Sequence, residues 1–196
     1  MMSCVVVLAG GKSQRMGRDK LTLSLEGQTL LESAVNRFQK AFKSVYLSVA
    51  DENKYPEINA PRIVDIFPGA GPMSGLHAAL TGLDGDGIFL VAADLPFASP
   101  DAAKRIIELC GNSDASVLRL SDGLLEPLFG FYRKPLLGAC EKALREGRYN
   151  MTGLLSEGST RFVAPHELEG LWNERLITNI NFPEDYAKLP GGNLDA

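Results

Sequence analysis

The sequence predicts a single α/β domain in which a mostly parallel, twisted sheet is covered by helices on both faces. Its 196 residues suffice for one such domain with a buried core, and no repeat or low-complexity linker divides them. Apolar runs of strand length alternate with segments of helical periodicity, which favours parallel strands joined by crossover helices. Some runs are almost continuously apolar, as expected of strands buried on both faces. These observations predict a three-layer architecture.

In the first half of the chain, the spacing of apolar residues predicts the elements. A helix is indicated where apolar side chains recur at helical spacing, at Leu30, Leu31, Ala34, Val35 and Phe38. Another begins at Ser99-Pro100-Asp101, because these residues supply a side-chain cap, a first-turn proline and an acid near the positive dipole end. The predicted order is strand 3–9, helix 29–42, strands 45–49 and 62–64, helix 73–83, strand 87–93 and the helix from Pro100.

The second half of the chain continues the same domain with shorter elements. Residues 115–120 and 127–132 are predicted strands that flank a turn at Asp122-Gly123. A helix is predicted over 134–145, with Gly147 closing it. The remaining predicted elements are a short helix near Met151, a strand at 161–164 and a last helix from Pro183. The domain is expected to span residues 1–189, and residues 190–196 are expected to form a disordered tail.

Composition excludes several classes of function. A net charge of −4 argues against general nucleic-acid binding, which requires a broad basic surface. No apolar run is long enough to span a bilayer, and the first residues lack the charged segment of a signal peptide. The three cysteines lie far apart without metal-ligand spacing, which indicates reduced thiols rather than disulfides or a zinc site. We therefore expect a cytoplasmic protein that contacts neither membrane nor nucleic acid.

The loop at residues 8–20 carries the strongest functional signal. An apolar strand ends in Gly10-Gly11, and four cations follow against a single carboxylate, namely Lys12, Arg15, Arg18 and Lys20 against Asp19. Glycine-rich turns after a strand offer backbone N–H groups to phosphate oxygens, here over 10–13, while Arg15 and Lys20 would neutralise the phosphate charge. The loop is not a Walker A motif, since Val6 stands where that motif needs glycine. It predicts a phosphate site.

Asp94 is the second signal, because it directly follows the apolar run 87–93. The carboxyl ends of parallel strands share one edge of the sheet, so Asp94 is expected beside the basic loop. Ser99 already supplies the cap of the next helix, which leaves Asp94 available for another role. A carboxylate close to a polyphosphate suits Mg²⁺. Asp65 ends another predicted strand and is expected at the same edge.

Taken together, these segments resemble the signature of the MobA-type molybdenum cofactor guanylyltransferases, within the superfamily of nucleotidyltransferases with a Rossmann-like fold. The resemblance begins with Leu8-Ala9-Gly10-Gly11-x-Ser13-x-Arg15-Met16-Gly17-x-Asp19-Lys20. Further family-like segments follow in order and cover nearly the whole chain: Asp65, Gly71-Pro72-Met73-Ser74-Gly75-Leu76, Asp94-Leu95-Pro96-Phe97, Glu126-Pro127-Leu128-Phe129-Gly130-Phe131-Tyr132 and Asn179-Ile180-Asn181-Phe182-Pro183-Glu184-Asp185.

The resemblance implies a role for each matching residue. It implies a guanine-nucleotide site, formed by Leu8, Ala9, Gly10, Gly11, Lys20, Ser48, Asp65 and Asp94. Ser48 stands where some members have an asparagine near the nucleotide, which changes the hydrogen bonding available there. Asp94 would hold Mg²⁺, and the catalytic residues would be Arg15, Lys20 and Asp94. Asn179 and Asn181 match positions on the pterin-substrate side.

The implied reaction is the transfer of GMP from GTP to the terminal phosphate of Mo-molybdopterin, with release of pyrophosphate. Contact with other proteins of cofactor biosynthesis or molybdoenzyme maturation is also implied. Three alternatives stay open: a molybdopterin cytidylyltransferase, a sugar-phosphate nucleotidyltransferase, and a non-catalytic GTP-binding regulatory module. The motif Leu8-Ala9-Gly10-Gly11 resembles the guanylyl form, since the cytidylyl form typically has alanine at the third position.

Overall fold

A computed structural model describes residues 4–10, 19–25, 27–180 and 185. The elements of this part of the chain alternate in the predicted way. The strands are β1 (Cys4–Leu8), β2 (Ser24–Leu25), β3 (Gln28–Thr29), β4 (Val45–Val49), β5 (Arg62–Val64), β6 (Gly87–Ala92), β7 (Ala115–Arg119), β8 (Leu125–Arg133) and β9 (Thr160–Val163). The α-helices are α1 (Leu30–Gln39), α2 (Pro72–Gly82), α3 (Pro100–Leu109), α4 (Leu137–Arg145) and α5 (Met151–Leu154).

The main sheet has seven strands in the order β5-β4-β1-β6-β8-β7-β9. Strands β5, β4, β1 and β6 pair in parallel, whereas β8 runs antiparallel to both β6 and β7. The pairing of β7 with β9 is again parallel. The predicted mostly parallel sheet is therefore confirmed, and the turn at Asp122-Gly123 makes β7 and β8 a hairpin, with Gly123 at φ +86°.

Helices pack on both faces of this sheet, because alternate residues of its strands point to opposite sides. On one face, Val5 and Val7 of β1 contact a core that includes apolar residues of α1 and α3. On the other face, Val6 and Leu8 belong to a second core that includes residues of α2 and α4. The central strands are buried throughout, as their almost continuously apolar sequences predict.

The helix starts follow the predicted chemistry, and the ends differ by a few residues. Ser99 caps α3 by accepting a hydrogen bond from the Ala102 backbone N–H. Helix α1 ends at Gln39 rather than at residue 42. The predicted helix from Lys134 begins as a 3₁₀ turn over Lys134–Leu136 before α4 continues it. The predicted last helix from Pro183 and the tail 190–196 lie outside the described residues, apart from Asp185.

Gly75 allows α2 to lie close to the ends of β1 and β4. A Cβ at this position would come within 2.6 Å of Leu8 Cδ2 and closer still to Ser48 Oγ. We expect Gly75→Ala to lower the free energy of unfolding by about 1–3 kcal/mol, because Leu8 and Ser48 would have to move. Chemical denaturation measures this change.

The matched control is Gly82→Ala at the end of the same helix, where an added Cβ meets nothing within 4 Å. It is expected to be neutral or to stabilise by up to about 1 kcal/mol, because alanine is the better helix former. Equal effects of the two substitutions would show that close packing at Gly75 is not the cause.

Candidate active site

The parallel strands bring the predicted site residues to one edge of the sheet. Leu8 at the end of β1 lies in register with Ser48 of β4 on one side and with Ala92 of β6 on the other. The backbone continues this alignment, since the Ala93 N–H donates to the Leu8 carbonyl at 3.1 Å. The side chains of Leu8 and Ala9 are buried, whereas Gly10 is exposed. At this edge, the backbone is therefore accessible to a ligand at Gly10.

Lys20 and Asp94 meet directly at this edge. Lys20 Nζ lies 2.6 Å from Asp94 Oδ2, and each side chain is 19% exposed. Lys20 Nζ also donates to the backbone carbonyl of Ile180 at 3.0 Å. Two charged groups at such a short distance and with limited exposure attract strongly, since little water screens them. The two residues predicted to serve the phosphates and the metal thus form one ion pair.

The free oxygen of this pair is suited to a cation. Asp94 Oδ1 is buried and has no hydrogen-bond partner within the described part of the chain. A buried carboxylate oxygen without a donor is unfavourable, and a divalent cation would satisfy it. Among the described residues, no three histidine, cysteine, aspartate or glutamate side chains form a metal cluster. Any cation at Asp94 Oδ1 would therefore need further ligands from elsewhere, such as substrate phosphates and water.

The end of the described chain packs against Asp94. The Ile180 N–H donates to the Asp94 backbone carbonyl at 3.1 Å, while the Ile180 carbonyl receives Lys20. Arg175 lies over the ring of Phe97 at 4.0 Å from its centroid, which holds this segment to the loop after Asp94. Asn179, predicted on the pterin-substrate side, is half-buried immediately before Ile180. The contacts of Ile180 were not predicted, because they use only its backbone.

Asp65 and Ser48 form a second polar group at the same edge. Ser48 is buried at 2% exposure, and its hydroxyl hydrogen-bonds the half-buried Asp65 carboxylate. Burial raises the pKa of Asp65 to about 6, and the hydrogen bond from Ser48 lowers it by less. Ser48 thus holds the Asp65 carboxylate by a hydrogen bond. Because Asp65 is the more exposed of the two, it is the better placed to accept a hydrogen bond from a ligand.

The raised pKa of Asp65 predicts a pH-dependent affinity for nucleotide. The ionised carboxylate accepts hydrogen bonds at both oxygens, whereas protonation removes its charge and turns one oxygen into an O–H donor. Nucleotide binding should therefore weaken as the pH falls through about 6. Between pH 7.5 and 5.0 we expect the Kd for GTP to rise by about tenfold, because about nine-tenths of Asp65 is protonated at the lower pH. Isothermal titration calorimetry at both pH values measures this.

The control is Asp65→Asn, in which the titrating group is absent. Its Kd should change with pH only through groups that both proteins share, such as the γ-phosphate of GTP. An equal pH response in the two proteins would contradict the role given to Asp65.

Glu126 is a further acidic group close to this site. It lies half-buried in β8, where its carboxylate accepts a hydrogen bond from the Leu128 N–H at 3.0 Å. Burial raises the pKa of Glu126, and the negative charge of Asp94 raises it further. In the sequence Glu126 stood out only as part of the motif Glu126-Pro127-Leu128, because nothing in the spacing relates it to Asp94.

Three predicted site residues lie outside the described part of the chain. They are Gly11 and Arg15 in the glycine-rich loop and Asn181 after Ile180. Their predicted roles in binding phosphate and the pterin substrate stay predictions. The same holds for the backbone N–H groups of residues 11–13.

Comparison with known proteins agrees with this geometry. Residues 5–161 match the family model described as the MobA-like NTP transferase domain. A probable molybdenum cofactor guanylyltransferase of Carboxydothermus hydrogenoformans is 33% identical, over 94% of this chain and 93% of that protein. A molybdenum cofactor guanylyltransferase of Campylobacter jejuni subsp. doylei is 31% identical, over 96% of this chain and 95% of that protein.

Solved structures show the same fold. The molybdopterin-guanine dinucleotide biosynthesis protein A of Archaeoglobus fulgidus superposes with a TM-score of 0.82 at 25% identity, covering 92% of this chain and 93% of that one. Within the described residues, no helix combines the length and apolarity needed to cross a bilayer. The family match spans most of the chain and includes β1 with Leu8, β4 with Ser48, and Asp94 shortly after β6. This chain belongs to the MobA-like NTP transferase family.

Proposed function

We propose that this chain is a molybdenum cofactor guanylyltransferase, which transfers GMP from GTP to the terminal phosphate of Mo-molybdopterin and releases pyrophosphate. The names of its relatives support this, since they are guanylyltransferases that match over nearly the full length of both chains. The observation that carries the proposal is the Lys20–Asp94 pair at the carboxyl edge of the sheet. It joins the cation proposed to bind phosphate to a carboxylate, one oxygen of which has no hydrogen-bond partner among the described residues.

The chemistry needs positioning and charge neutralisation more than a general base. The nucleophile is a phosphate oxygen of Mo-molybdopterin, which is already anionic at neutral pH. It forms a new bond to the α-phosphorus of GTP, the bond from that phosphorus to the bridging oxygen breaks, and pyrophosphate leaves with the bonding electrons. Negative charge therefore accumulates around the α-phosphorus and on the leaving group. Lys20 and Arg15 are the cations proposed to stabilise it.

Asp94 is proposed to hold Mg²⁺ through Oδ1, with phosphate oxygens and water completing the coordination. The bound ion would neutralise phosphate charge and fix the orientation of the triphosphate. Lys20 fixes the orientation of the Asp94 carboxylate through Oδ2, so that Oδ1 stays directed away from the ion pair. A distant structural relative from Mycobacterium tuberculosis, 20% identical with a TM-score of 0.59, has been solved in complex with manganese.

The remaining residues are proposed to select the substrates. Gly10 and Gly11 would let the nucleotide approach the backbone beside the buried Leu8 and Ala9. Asp65, supported by Ser48, would accept hydrogen bonds from the base or ribose. Asn179 and Asn181 would contact the pterin substrate. In support of this, Asn179 precedes Ile180, whose N–H binds the Asp94 backbone carbonyl at the candidate site.

We place the protein in the cytoplasm, where its three buried free thiols would remain reduced. Transient contact with other proteins of cofactor biosynthesis or molybdoenzyme maturation is part of the same proposal, because the substrate must be received and the product passed on.

A nucleotide panel tests the proposed function. The protein is incubated with Mg²⁺, Mo-molybdopterin and one of GTP, CTP, ATP or UTP, and both pyrophosphate release and product mass are measured. Guanylated product with at least about a hundredfold preference for GTP over CTP supports the proposal. Exclusive cytidylation would assign the molybdopterin cytidylyltransferase function instead. Transfer only to a sugar phosphate would assign that enzyme class, and GTP binding without pyrophosphate release would assign a binding module.

A further inference from the structure

Tyr55 has an unusual backbone conformation for a bulky residue. Its φ is +53°, in the left-handed region that glycine and asparagine favour, although the residue is buried, with an exposure of 7%. A bulky residue in this region is less stable than in the helical or extended regions. The surrounding structure must therefore hold Tyr55 in this conformation.

Arg62 at the start of β5 holds the loop that carries Tyr55. Its Nη2 donates to the Tyr55 carbonyl at 2.5 Å and its Nε to the Lys54 carbonyl at 3.3 Å. Its Nη1 donates to the Ala60 carbonyl at 3.4 Å. A guanidinium group can make several such bonds at once because its donors point in fixed directions. One side chain thus fixes both ends of the loop around Tyr55.

The ring of Tyr55 reaches the segment that presents Lys20. Its hydroxyl donates to Asp19 Oδ2 at 2.6 Å. The other oxygen, Asp19 Oδ1, accepts from the Leu21 backbone N–H at 3.1 Å, which caps the 3₁₀ turn Lys20–Thr22. Burial and the Asp19 carboxylate both raise the pKa of the Tyr55 hydroxyl, so it stays a donor at any working pH.

These contacts form a continuous series between β5 and the candidate active site. Arg62 fixes Tyr55, Tyr55 binds Asp19, and Asp19 caps the turn from which Lys20 reaches Asp94. We propose that Tyr55 is a positioning residue for Lys20 and acts through Asp19. This inference rests on the proposed function in one respect, namely that Lys20 acts on the phosphates of the nucleotide. Tyr55 itself is expected to touch no substrate.

A double-mutant cycle tests whether Tyr55 acts through Asp19. Tyr55→Phe keeps the ring and removes only the hydroxyl, and we expect it to lower kcat by about tenfold, as for loss of a hydrogen bond to a charged group, with KM for GTP within about twofold. Asp19→Asn should have a comparable effect. In the Asp19→Asn background, Tyr55→Phe should cause little further loss, because the interaction is already weakened.

Tyr46→Phe is the matched control. Tyr46 lies half-buried on β4, and none of the hydrogen bonds found among the described residues involves its hydroxyl. It should leave kcat unchanged. Fully additive losses in the cycle, or wild-type kcat for Tyr55→Phe, would overturn the proposal. The proposal would also be overturned if Tyr55→Phe and Tyr46→Phe lowered kcat equally and the loss followed from a lower melting temperature.

A second readout needs no substrate and separates this inference from the proposed function. Brief acetylation with acetic anhydride, followed by peptide mass spectrometry, reports how exposed each lysine amine is. Lys20 should be acetylated about tenfold faster in Tyr55→Phe than in wild type, while Lys104 on the exposed side of α3 serves as an internal reference. An unchanged Lys20 rate would overturn the positioning role. A wild-type protein without transferase activity would instead overturn the proposed function, and the acetylation rates would still decide the role of Tyr55.

Discussion

Asp94→Ala is expected to reduce the rate of GMP transfer by about a thousandfold, the largest effect of any single substitution in this chain. The change removes the buried oxygen suited to the cation and also the carboxylate that pairs with Lys20. Both losses act on the same developing phosphate charge. Steady-state pyrophosphate release, measured with saturating GTP, Mo-molybdopterin and Mg²⁺, gives the effect on kcat.

Asp94→Asn separates the two contributions of this carboxylate. Asparagine keeps the size of the side chain and one oxygen but carries no charge, so it should bind Mn²⁺ weakly and still accept a hydrogen bond from Lys20. We expect a loss nearly as large as for alanine, because the cation site requires the charge.

The control for Asp94 is Asp101→Ala in the first turn of α3. Asp101 is an exposed carboxylate whose partner is Lys104 at 3.1 Å, far along the chain from the glycine-rich loop. It should leave kcat unchanged and lower stability by no more than about 1 kcal/mol. Near-wild-type turnover in Asp94→Ala, with an intact fold by circular dichroism, would contradict the assigned site.

Lys20→Ala is expected to lower kcat by about a hundred- to a thousandfold, comparable to the loss of a single charged group on a transferring phosphoryl. Its ammonium lies 2.6 Å from Asp94 Oδ2, so it would be close to the phosphates of a nucleotide whose cation is held by Asp94. The KM for GTP should rise less than kcat falls, because the charge that Lys20 stabilises is greatest in the transition state.

The same variant, Lys20→Ala, is expected to lose activity but to gain affinity for Mn²⁺. Without nucleotide, the Lys20 ammonium repels a second cation from Asp94, so Lys20→Ala should bind Mn²⁺ about tenfold more tightly than wild type. Electron paramagnetic resonance of free Mn²⁺ measures this. Lys104→Ala, which removes an exposed ammonium paired with Asp101, should change neither kcat nor Mn²⁺ affinity. Weaker Mn²⁺ binding in Lys20→Ala would show that Lys20 does not compete with the cation.

The fold could be predicted from the sequence because local sequence patterns determine its helices and strands. The rules for parallel sheets then determine how these elements are arranged. The apolar run at β6 predicts a buried central strand, and Ser99 predicts the start of α3. The expectation that Asp94 and the basic loop share one edge followed from the parallel arrangement alone. The structure confirms this for Lys20, which pairs with Asp94.

The finer arrangement of the site could not be predicted, because it depends on contacts between distant segments. Ile180 contributes only backbone groups and lies 160 positions from Lys20. Tyr55 stands in a loop without periodicity, and its left-handed backbone has no signature in the sequence. The support of Asp65 by Ser48 depends on the register of β4 and β5 and on the close approach of α2 at Gly75.

The claim that Asp94 holds the cation while Lys20 contacts the α-phosphate can be tested by a crystal structure of the wild-type protein with Mn²⁺ and a non-hydrolysable GTP analogue. We predict an anomalous manganese peak within about 2.3 Å of Asp94 Oδ1, with the α-phosphate beside Lys20 Nζ and the base near Asp65. A triphosphate bound away from the carboxyl edge of the sheet, or a manganese ion without contact to Asp94, would contradict the claim.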